Sequence, residues 1–308
     1  MSLETPIAFC IFNRPELTRQ VFAAIARAKP NTMFVIGDGA RSGCTAETQL
    51  VEQTRAIVDQ VDWDCDVKLN FSDANLGCKK RMATGLSWAF EQAEELIILE
   101  DDCLPDDSFF GYCQQLLRRY RDDQRIMMIS GDNFQSTRRT RNSYYFSRWP
   151  HIWGWASWRR AWRHFDVSLS SWPEVKANQN LKSVFGSEQE YRHWAAVLDR
   201  QHAGEIDTWD FPWAYACWLN SGLAILPEYN LIKNLGFGPE ATHTKDPGSR
   251  LANLGTESIG SLRHPSSVVP NHLADQYTWE HILSPQLPVG QAPTSKKWYH
   301  RFLPRSAA

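Results

Sequence analysis

The sequence predicts an α/β protein, with a mostly parallel central sheet flanked by helices. Two observations predict it. Apolar runs of strand length alternate with helix-spaced segments through the first half, and several of those runs end in polar or acidic residues. The sharpest case is Leu96-Ile97-Ile98-Leu99, which runs directly into Glu100-Asp101-Asp102. Four apolar residues, two of them β-branched, read as a fully buried parallel strand. Unpaired carboxylates are heavily penalised inside a core, so the three acids are expected at the rim, where α/β sheets bind ligands.

The remaining elements follow in order. Pro6-Ile7-Ala8-Phe9-Cys10-Ile11-Phe12 is an apolar strand closed by Asn13-Arg14-Pro15-Glu16. Leu17 to Ala28 has helical spacing, with Leu17, Val21, Ala24, Ile25 and Ala28 on one face. Met33-Phe34-Val35-Ile36 is a second buried strand ending in Gly37-Asp38-Gly39. A helix from about Thr45 to Gln60 and a strand around Val67-Lys68-Leu69-Asn70 come next. The turn Asp73-Ala74-Asn75-Leu76-Gly77 leads to a helix from about Cys78 to Glu95, which feeds the acidic-tipped strand. Phe109 to Tyr120 reads as a helix before the strand Ile126-Met127-Met128-Ile129 and the turn Ser130-Gly131-Asp132. Beyond that point the alternation fades, and Ser147 to Asp166 is rich in tryptophan and arginine.

No linker separates the halves, so residues 1–250 read as one domain. Residues 251–308 read as a loop-rich extension carrying Pro265, Pro270, Pro285, Pro288 and Pro293. Its last stretch, Lys296-Lys297-Trp298-Tyr299-His300-Arg301-Phe302, is basic and aromatic, which suits either membrane-surface contact or a docked, solvated tail.

Composition narrows the function classes. A net charge of −2 gives no broad attraction to nucleic acid. No apolar run reaches membrane-spanning length, and the N-terminus shows no signal-peptide pattern. The seven cysteines are odd in number and contain no Cys-x-x-Cys pair, which argues against a disulfide framework and for a reducing cytoplasm. Fourteen tryptophans suit sugar stacking, and they suit core packing equally.

Each candidate motif carries two readings. Glu100-Asp101-Asp102 can hold a hard divalent cation, since magnesium-type ions use one or two carboxylates plus phosphates, or it can be an acidic loop before the helix start at Pro105-Asp106-Asp107. Asn13-Arg14-Pro15-Glu16 can meet a nucleotide with its amides and Arg14, while also starting a helix with Pro15 and Glu16 in the first turn. Lys79-Lys80-Arg81 sits at a helix start, where cations are unfavourable unless an anion compensates them or solvent takes them up. Asp38 is flanked by Gly37 and Gly39, which suits a sharp Asp-Gly turn. Asp210, between Trp209 and Phe211, is either a partly desolvated carboxylate of raised basicity or the cap of a helix starting near Phe211.

Taken in order, the Asn13-Arg14-Pro15-Glu16 turn, Asp38, Asn75-Leu76-Gly77 and Glu100-Asp101-Asp102 resemble the GT-A glycosyltransferases of the family-2 type. The Glu-Asp-Asp form is similar to the metal motif of the N-acetylglucosaminyltransferase I group, and Trp153-Gly154-Trp155-Ala156-Ser157-Trp158 is similar to a segment of bacterial sugar transferases. The resemblance covers about residues 5–245. It implies a GT-A fold, with a nucleotide-binding half at about 1–132 and an acceptor-side half at about 133–250. It further implies a nucleotide-diphosphate sugar donor, UDP-linked by preference, a glycan or lipid-linked acceptor, and Mn²⁺ or Mg²⁺.

By that resemblance Asp102 binds the metal, and His243 joins it on the metal or the diphosphate. Asn13, Arg14, Glu16, Asp38, Asn75, Lys79, Arg81, Glu100 and Asp101 face the donor, with Asp38 on the base or ribose. Asp210 takes the acceptor proton, which implies inversion at the sugar, with Asp207 and Glu240 as substitutes. Tryptophans between Trp149 and Trp162 line the acceptor side. The expected role is bacterial surface-glycan synthesis, in the cytoplasm or at the inner face of the membrane. Two rivals stand beside it: a sugar nucleotidyltransferase, which typically carries a glycine-rich loop where Asn13 to Glu16 lies, and a carbohydrate-binding protein on a degenerate scaffold.

Overall fold

The structure, a computed structural model, describes residues 3–237 and 251–284. Strand and helix alternate as the apolar spacing dictates: β1 (Ile7–Ile11), α1 (Pro15–Ala28), β2 (Thr32–Gly37), α2 (Thr45–Arg55), β3 (Asp66–Phe71), α3 (Gly77–Gln92) and β4 (Glu95–Glu100). Next come β5 (Cys103–Pro105), α4 (Ser108–Arg119), β6 (Ile126–Ser130), β7 (Tyr144–Ser147), β8 (Trp155–Trp158), α5 (Arg159–Trp162), α6 (Trp172–Ala177), α7 (Glu188–His202) and α8 (Asp210–Leu219). β9 (Leu223–Pro227), β10 (Ile232–Asn234) and α9 (His272–Thr278) complete the set.

Eight strands form one sheet in the order β3-β2-β1-β4-β8-β6-β9-β7. β1 pairs in parallel with both β2 and β4, and β2 with β3. β8 is antiparallel to both β4 and β6, β9 runs parallel to β6, and β7 is antiparallel to β9. Six strands therefore point the same way and deliver their carboxyl ends to one edge, with β7 and β8 reversed. A separate two-stranded ribbon pairs β10 with β5.

Alternate residues of β1 feed two cores, because side chains along a strand point to opposite faces. Ile7, Phe9 and Ile11 join Val21 and Ile25 of α1 and Leu116 of α4. Ala8 and Cys10 join Leu86 and Phe90 of α3 and Trp213 of α8. A third core, built from α6, α7 and α8, gathers Trp149, Trp172, Trp194 and Trp218.

The tryptophans expected on the acceptor side answer mainly to packing. Trp149, Trp155, Trp158 and Trp162 are all buried, and Trp155 stacks on Trp209 with ring centroids 5.7 Å apart. Within that stretch only the half-buried Trp153 reaches outward. Large aromatic rings gain more from full burial than from an exposed platform.

Three boundaries differ from the sequence reading. The α2 segment passes into a 3-10 turn at Ala56–Gln60 rather than continuing as α-helix. α3 stops at Gln92 because Ala93 turns extended, releasing Glu95 into β4. The extension read as loop-rich contains α9, capped by the Asn271 side chain accepting from the Ala274 amide at 3.1 Å. Ala274, Asp275 and Thr278 of α9 are buried against the domain. Among the described residues, no helix is long and apolar enough to cross a membrane.

The carboxyl edge tolerates little added bulk. A Cβ on Gly39 would lie 2.6 Å from the carbonyl carbon of Ala74, a backbone atom that cannot swing aside. Gly39→Ala is expected to cost about 1–3 kcal/mol through overpacking and to lower the melting temperature by about 2–5 °C. Differential scanning calorimetry checks this; an unchanged melting temperature would mean the two turns do not pack as described.

Candidate active site at the carboxyl edge of the sheet

β1 lies between β2 on one side and β4 on the other, so the chain's winding reverses between β1 and β4. Crevices at such reversals are where open α/β sheets bind ligands. The two strand ends flanking this one are Phe12-Asn13-Arg14 and Glu100-Asp101-Asp102, and they are bonded to each other. The Phe12 amide donates to Asp101 Oδ2 at 3.2 Å. Arg14 Nη1 donates to Asp102 Oδ2 at 2.7 Å and to Asp101 Oδ1 at 3.4 Å.

The carboxylates crowd one another. Burial pushes Asp101 up to about 7, Asp102 adds to the rise, and Arg14 and the Phe12 amide pull the other way. Glu100 stands well above the carboxylate range, first through burial and then through the charges of Asp102 and Asp101. Asp210 adds to the same repulsion. The Glu100 carboxyl accepts no hydrogen bond from another described residue.

The ribbon closes over this point. The Leu235 amide donates to the Asp102 carbonyl at 2.7 Å, just past β10. A Cβ at Gly236 would sit 2.2 Å from Asp102 Oδ2, so the returning backbone passes directly over that carboxylate. Phe237 then meets Trp153 edge-on at 5.5 Å.

Asp210 comes to the same edge. Trp209 occupies the cap position and Asp210 is the first helical residue of α8, so the expected cap role does not fall on it. The Thr208 hydroxyl donates to its Oδ1. Its charge reaches both Glu100 and Cys78 at the start of α3. Asp207 lies alongside, with Oδ2 3.6 Å from where a Gly77 Cβ would stand.

The other candidates divide by placement. Asp38 is buried, and its oxygens accept from the amides of Leu76, Gly77 and Gly39 at 2.9–3.1 Å. The Asn75 amide nitrogen joins it at 3.2 Å and also donates to the Gly39 carbonyl. Asp38 and Asn75 thus tie the ends of β2 and β3 together and shape the turn into α3. Arg81 points inward, donating to the backbone and side chain of Asn70. Glu16 points outward at 76% side-chain exposure and pairs with Arg19. Lys79 is half-buried on the first turn of α3, with no ion pair among the described residues. His243 and Glu240 lie outside the described residues.

Among the buried acids that sequence reasoning did not single out, Glu47 and Asp132 bear on this site. Glu47, in the first turn of α2, accepts from the Asn13 side chain at 2.9 Å and from the Arg41 amide at 2.7 Å. It locks the Asn13 turn to the loop after β2. Asp132 follows β6 and takes the Trp153 amide on Oδ2 at 2.9 Å, while its Oδ1 is buried without a partner. Burial drives its carboxyl well above the usual range. Asp132 carries the same signal as Asp38, a carboxylate just past a buried strand. Glu47 could be found only as an acid at a helix start.

Among the described residues, no three His, Cys, Asp or Glu side chains converge as a ready metal cage. Asp102 and Glu100 still fit a hard divalent cation. They are oxygen donors, a cation would relieve the repulsion that raises Glu100, and such ions complete their shell with phosphate and water. Arg14 holds Asp102 Oδ2 at 2.7 Å, so the guanidinium and a cation would compete for that carboxylate.

No protein-family model matches the chain, and no curated protein does. Solved structures that the chain matches include galactosyltransferase LgtC in complex with donor and acceptor sugar analogs, at 11% identity and a TM-score of 0.34, covering 57% of this chain and 66% of that one. UDP-glucose pyrophosphorylase complexed with UDP-glucose gives 12% identity and a TM-score of 0.27, covering 46% and 62%. The 4-diphosphocytidyl-2C-methyl-D-erythritol synthase of Anaerococcus prevotii DSM 20548 gives 8% and 0.32, covering 51% and 72%. The chain spans less than two thirds of the first two proteins' length. Likenesses this distant carry no argument about chemistry.

One pH dependence follows from the site's wall. His151 is buried against Phe134, ring centroids 4.5 Å apart, and its Nε2 has no partner. Burial lowers its pKa from 6.5 to about 3. The neutral ring therefore contributes stability that is full above the unfolded pKa and is lost as pH falls toward the folded one. From about pH 7 to about pH 5, urea unfolding should show the parent losing more stability than His151→Phe. Equal losses in the two proteins would place the histidine outside the core.

Proposed function

We propose that this protein transfers a glycosyl unit from a nucleotide-diphosphate sugar to an acceptor hydroxyl, with a divalent metal. The observation that supports it most is the concentration of Glu100, Asp101 and Asp102 beside Arg14 at the winding reversal, with the charge of Asp210 reaching Glu100. So many acids at a ligand-binding edge are costly without a cation to share. The nucleotide lies across the ends of β1 and β2, against Asn13, Arg14 and the turn that Asp38 and Asn75 hold. Lys79 at the amino end of α3 suits the diphosphate.

Asp102, with Glu100 beside it, would hold Mn²⁺ or Mg²⁺. When bound, the ion supplies charge stabilisation for the departing diphosphate. Arg14, bonded to Asp102, would share that carboxylate with the ion and would lie beside the diphosphate. Asp210 accepts the acceptor's proton from the opposite side, which gives inversion at the sugar carbon. The half-buried Trp153 and the adjoining Phe237 form an apolar wall for a sugar ring. A UDP-sugar donor and a glycan or lipid-linked acceptor in bacterial surface-glycan synthesis fit this arrangement, in the cytoplasm or at the inner membrane face.

Asp102→Asn keeps size and removes charge. In calorimetric titrations of UDP it should weaken Mn²⁺-dependent binding by roughly 10- to 100-fold, with metal-free binding little altered. Parental affinity in the variant would remove Asp102 from the metal site. Asp210→Asn should retain donor binding and slow transfer by about 10²–10⁴-fold. A near-parental transfer rate would move the base to another group, Asp207 first.

A further inference from the structure

Among the described residues, the two most exposed large apolar side chains are Leu273 at 70% and Val269 at 59%. They lie together at the start of α9. Its inward residues Ala274, Asp275 and Thr278 are buried, so Leu273 and Tyr277, one turn apart, share the outward face. The guanidinium of Arg139 stands 4.9 Å over the Tyr277 ring. The Asn271 side chain donates to the Arg139 carbonyl at 3.0 Å, which fixes α9 beside the 135–142 loop.

That loop is basic. Arg138 and Arg141 are exposed, and Arg263 is 58% exposed with its Nε on the Arg141 carbonyl at 3.1 Å. Arg138 and Arg263 both pair with the buried Glu228, so one carboxylate balances two guanidiniums and the face keeps a positive excess. Glu280 is the exposed acid on the same helical segment. Glu228 directly follows β9, so the basic cluster lies at the carboxyl edge of the sheet, the edge that carries the candidate site.

We propose that this face docks on an anionic lipid surface, with Leu273 and Val269 entering the headgroup boundary and the arginines on lipid phosphates. Exposed apolar side chains ringed by cations match that surface in both respects, and a helix lying flat with its apolar residues down is the usual geometry. Past residue 284 the sequence itself is also basic and aromatic, with Lys296, Lys297, Trp298, Tyr299, Arg301 and Phe302. Docking in this way turns the carboxyl edge toward the membrane. On the transferase reading alone, that orientation selects a lipid-linked acceptor over a free glycan.

The test is sedimentation of the full chain with phosphatidylcholine vesicles, with and without phosphatidylglycerol, at low and physiological salt. Binding is expected only with the anionic lipid and is expected to weaken with salt. Val269→Ser with Leu273→Ser, both at exposed positions, should lower vesicle affinity about tenfold. Arg139→Gln with Arg141→Gln should lower it about 25-fold, at roughly fivefold per lost cation. Circular dichroism confirms that both variants are folded.

Three results would overturn the proposal. The parent does not bind anionic vesicles; or both face variants bind as the parent while Lys296→Gln, Lys297→Gln and Arg301→Gln together abolish binding; or the apolar variant instead converts a dimer to a monomer in light scattering. None of these readouts depends on catalysis, so failure here leaves the transferase reading untouched.

Discussion

The structure turns on the charge balance at the end of β4. A strand buried on both faces must emerge somewhere, and here it emerges as three consecutive carboxylates beside the end of β1. Arg14 is bonded to two of them and the Phe12 amide to one, so the same contacts that offset the repulsion also clamp the two strands at the winding reversal. Removing Arg14 would leave buried like charges facing each other, an arrangement that costs far more than a surface ion pair gains. The ribbon of β5 and β10 closes over the cluster because Gly236 has no side chain to collide with Asp102.

Other polar groups at this edge serve the same end indirectly. Asp38 spends its oxygens on the amides of the turn into α3, and Glu47 holds the Asn13 turn to the loop after β2. Each replaces backbone flexibility with a satisfied buried hydrogen bond, which rigidifies loops that carry a site. The carboxyl ends of β1, β2 and β4 are thus set with respect to one another before any ligand arrives. The tryptophans support this from behind, as core filling beneath the sheet.

Much of the first half was legible in the sequence, because buried parallel strands write themselves as continuous apolar runs with polar tips. The strand ends at Phe12, Gly37 and Glu100 could be read that way, and so could the gathering of their acids at one edge. The division of labour among those acids was not legible. Asp38 and Asp101 look alike in sequence, yet one is saturated by amides and the other faces a guanidinium. Arg81 and Glu16 sit in motifs that suggest a ligand, but helix phase turns one into the core and the other into solvent. The cover over Asp102 depends on two three-residue strands pairing across more than a hundred positions, and no local pattern announces such a contact. α9 was hidden among prolines, too short for its periodicity to stand out.

In the proposed reaction, the bond between a sugar and a nucleoside diphosphate would break beside the acidic cluster, with a divalent metal held there. The most direct measurement is phosphorus NMR of a panel of nucleotide-diphosphate sugars incubated with the protein, with and without Mn²⁺. The account predicts release of an intact nucleoside diphosphate from at least one donor, dependent on the metal. Formation of sugar 1-phosphate and nucleoside triphosphate on adding pyrophosphate, or no turnover of any donor with metal present, would contradict it.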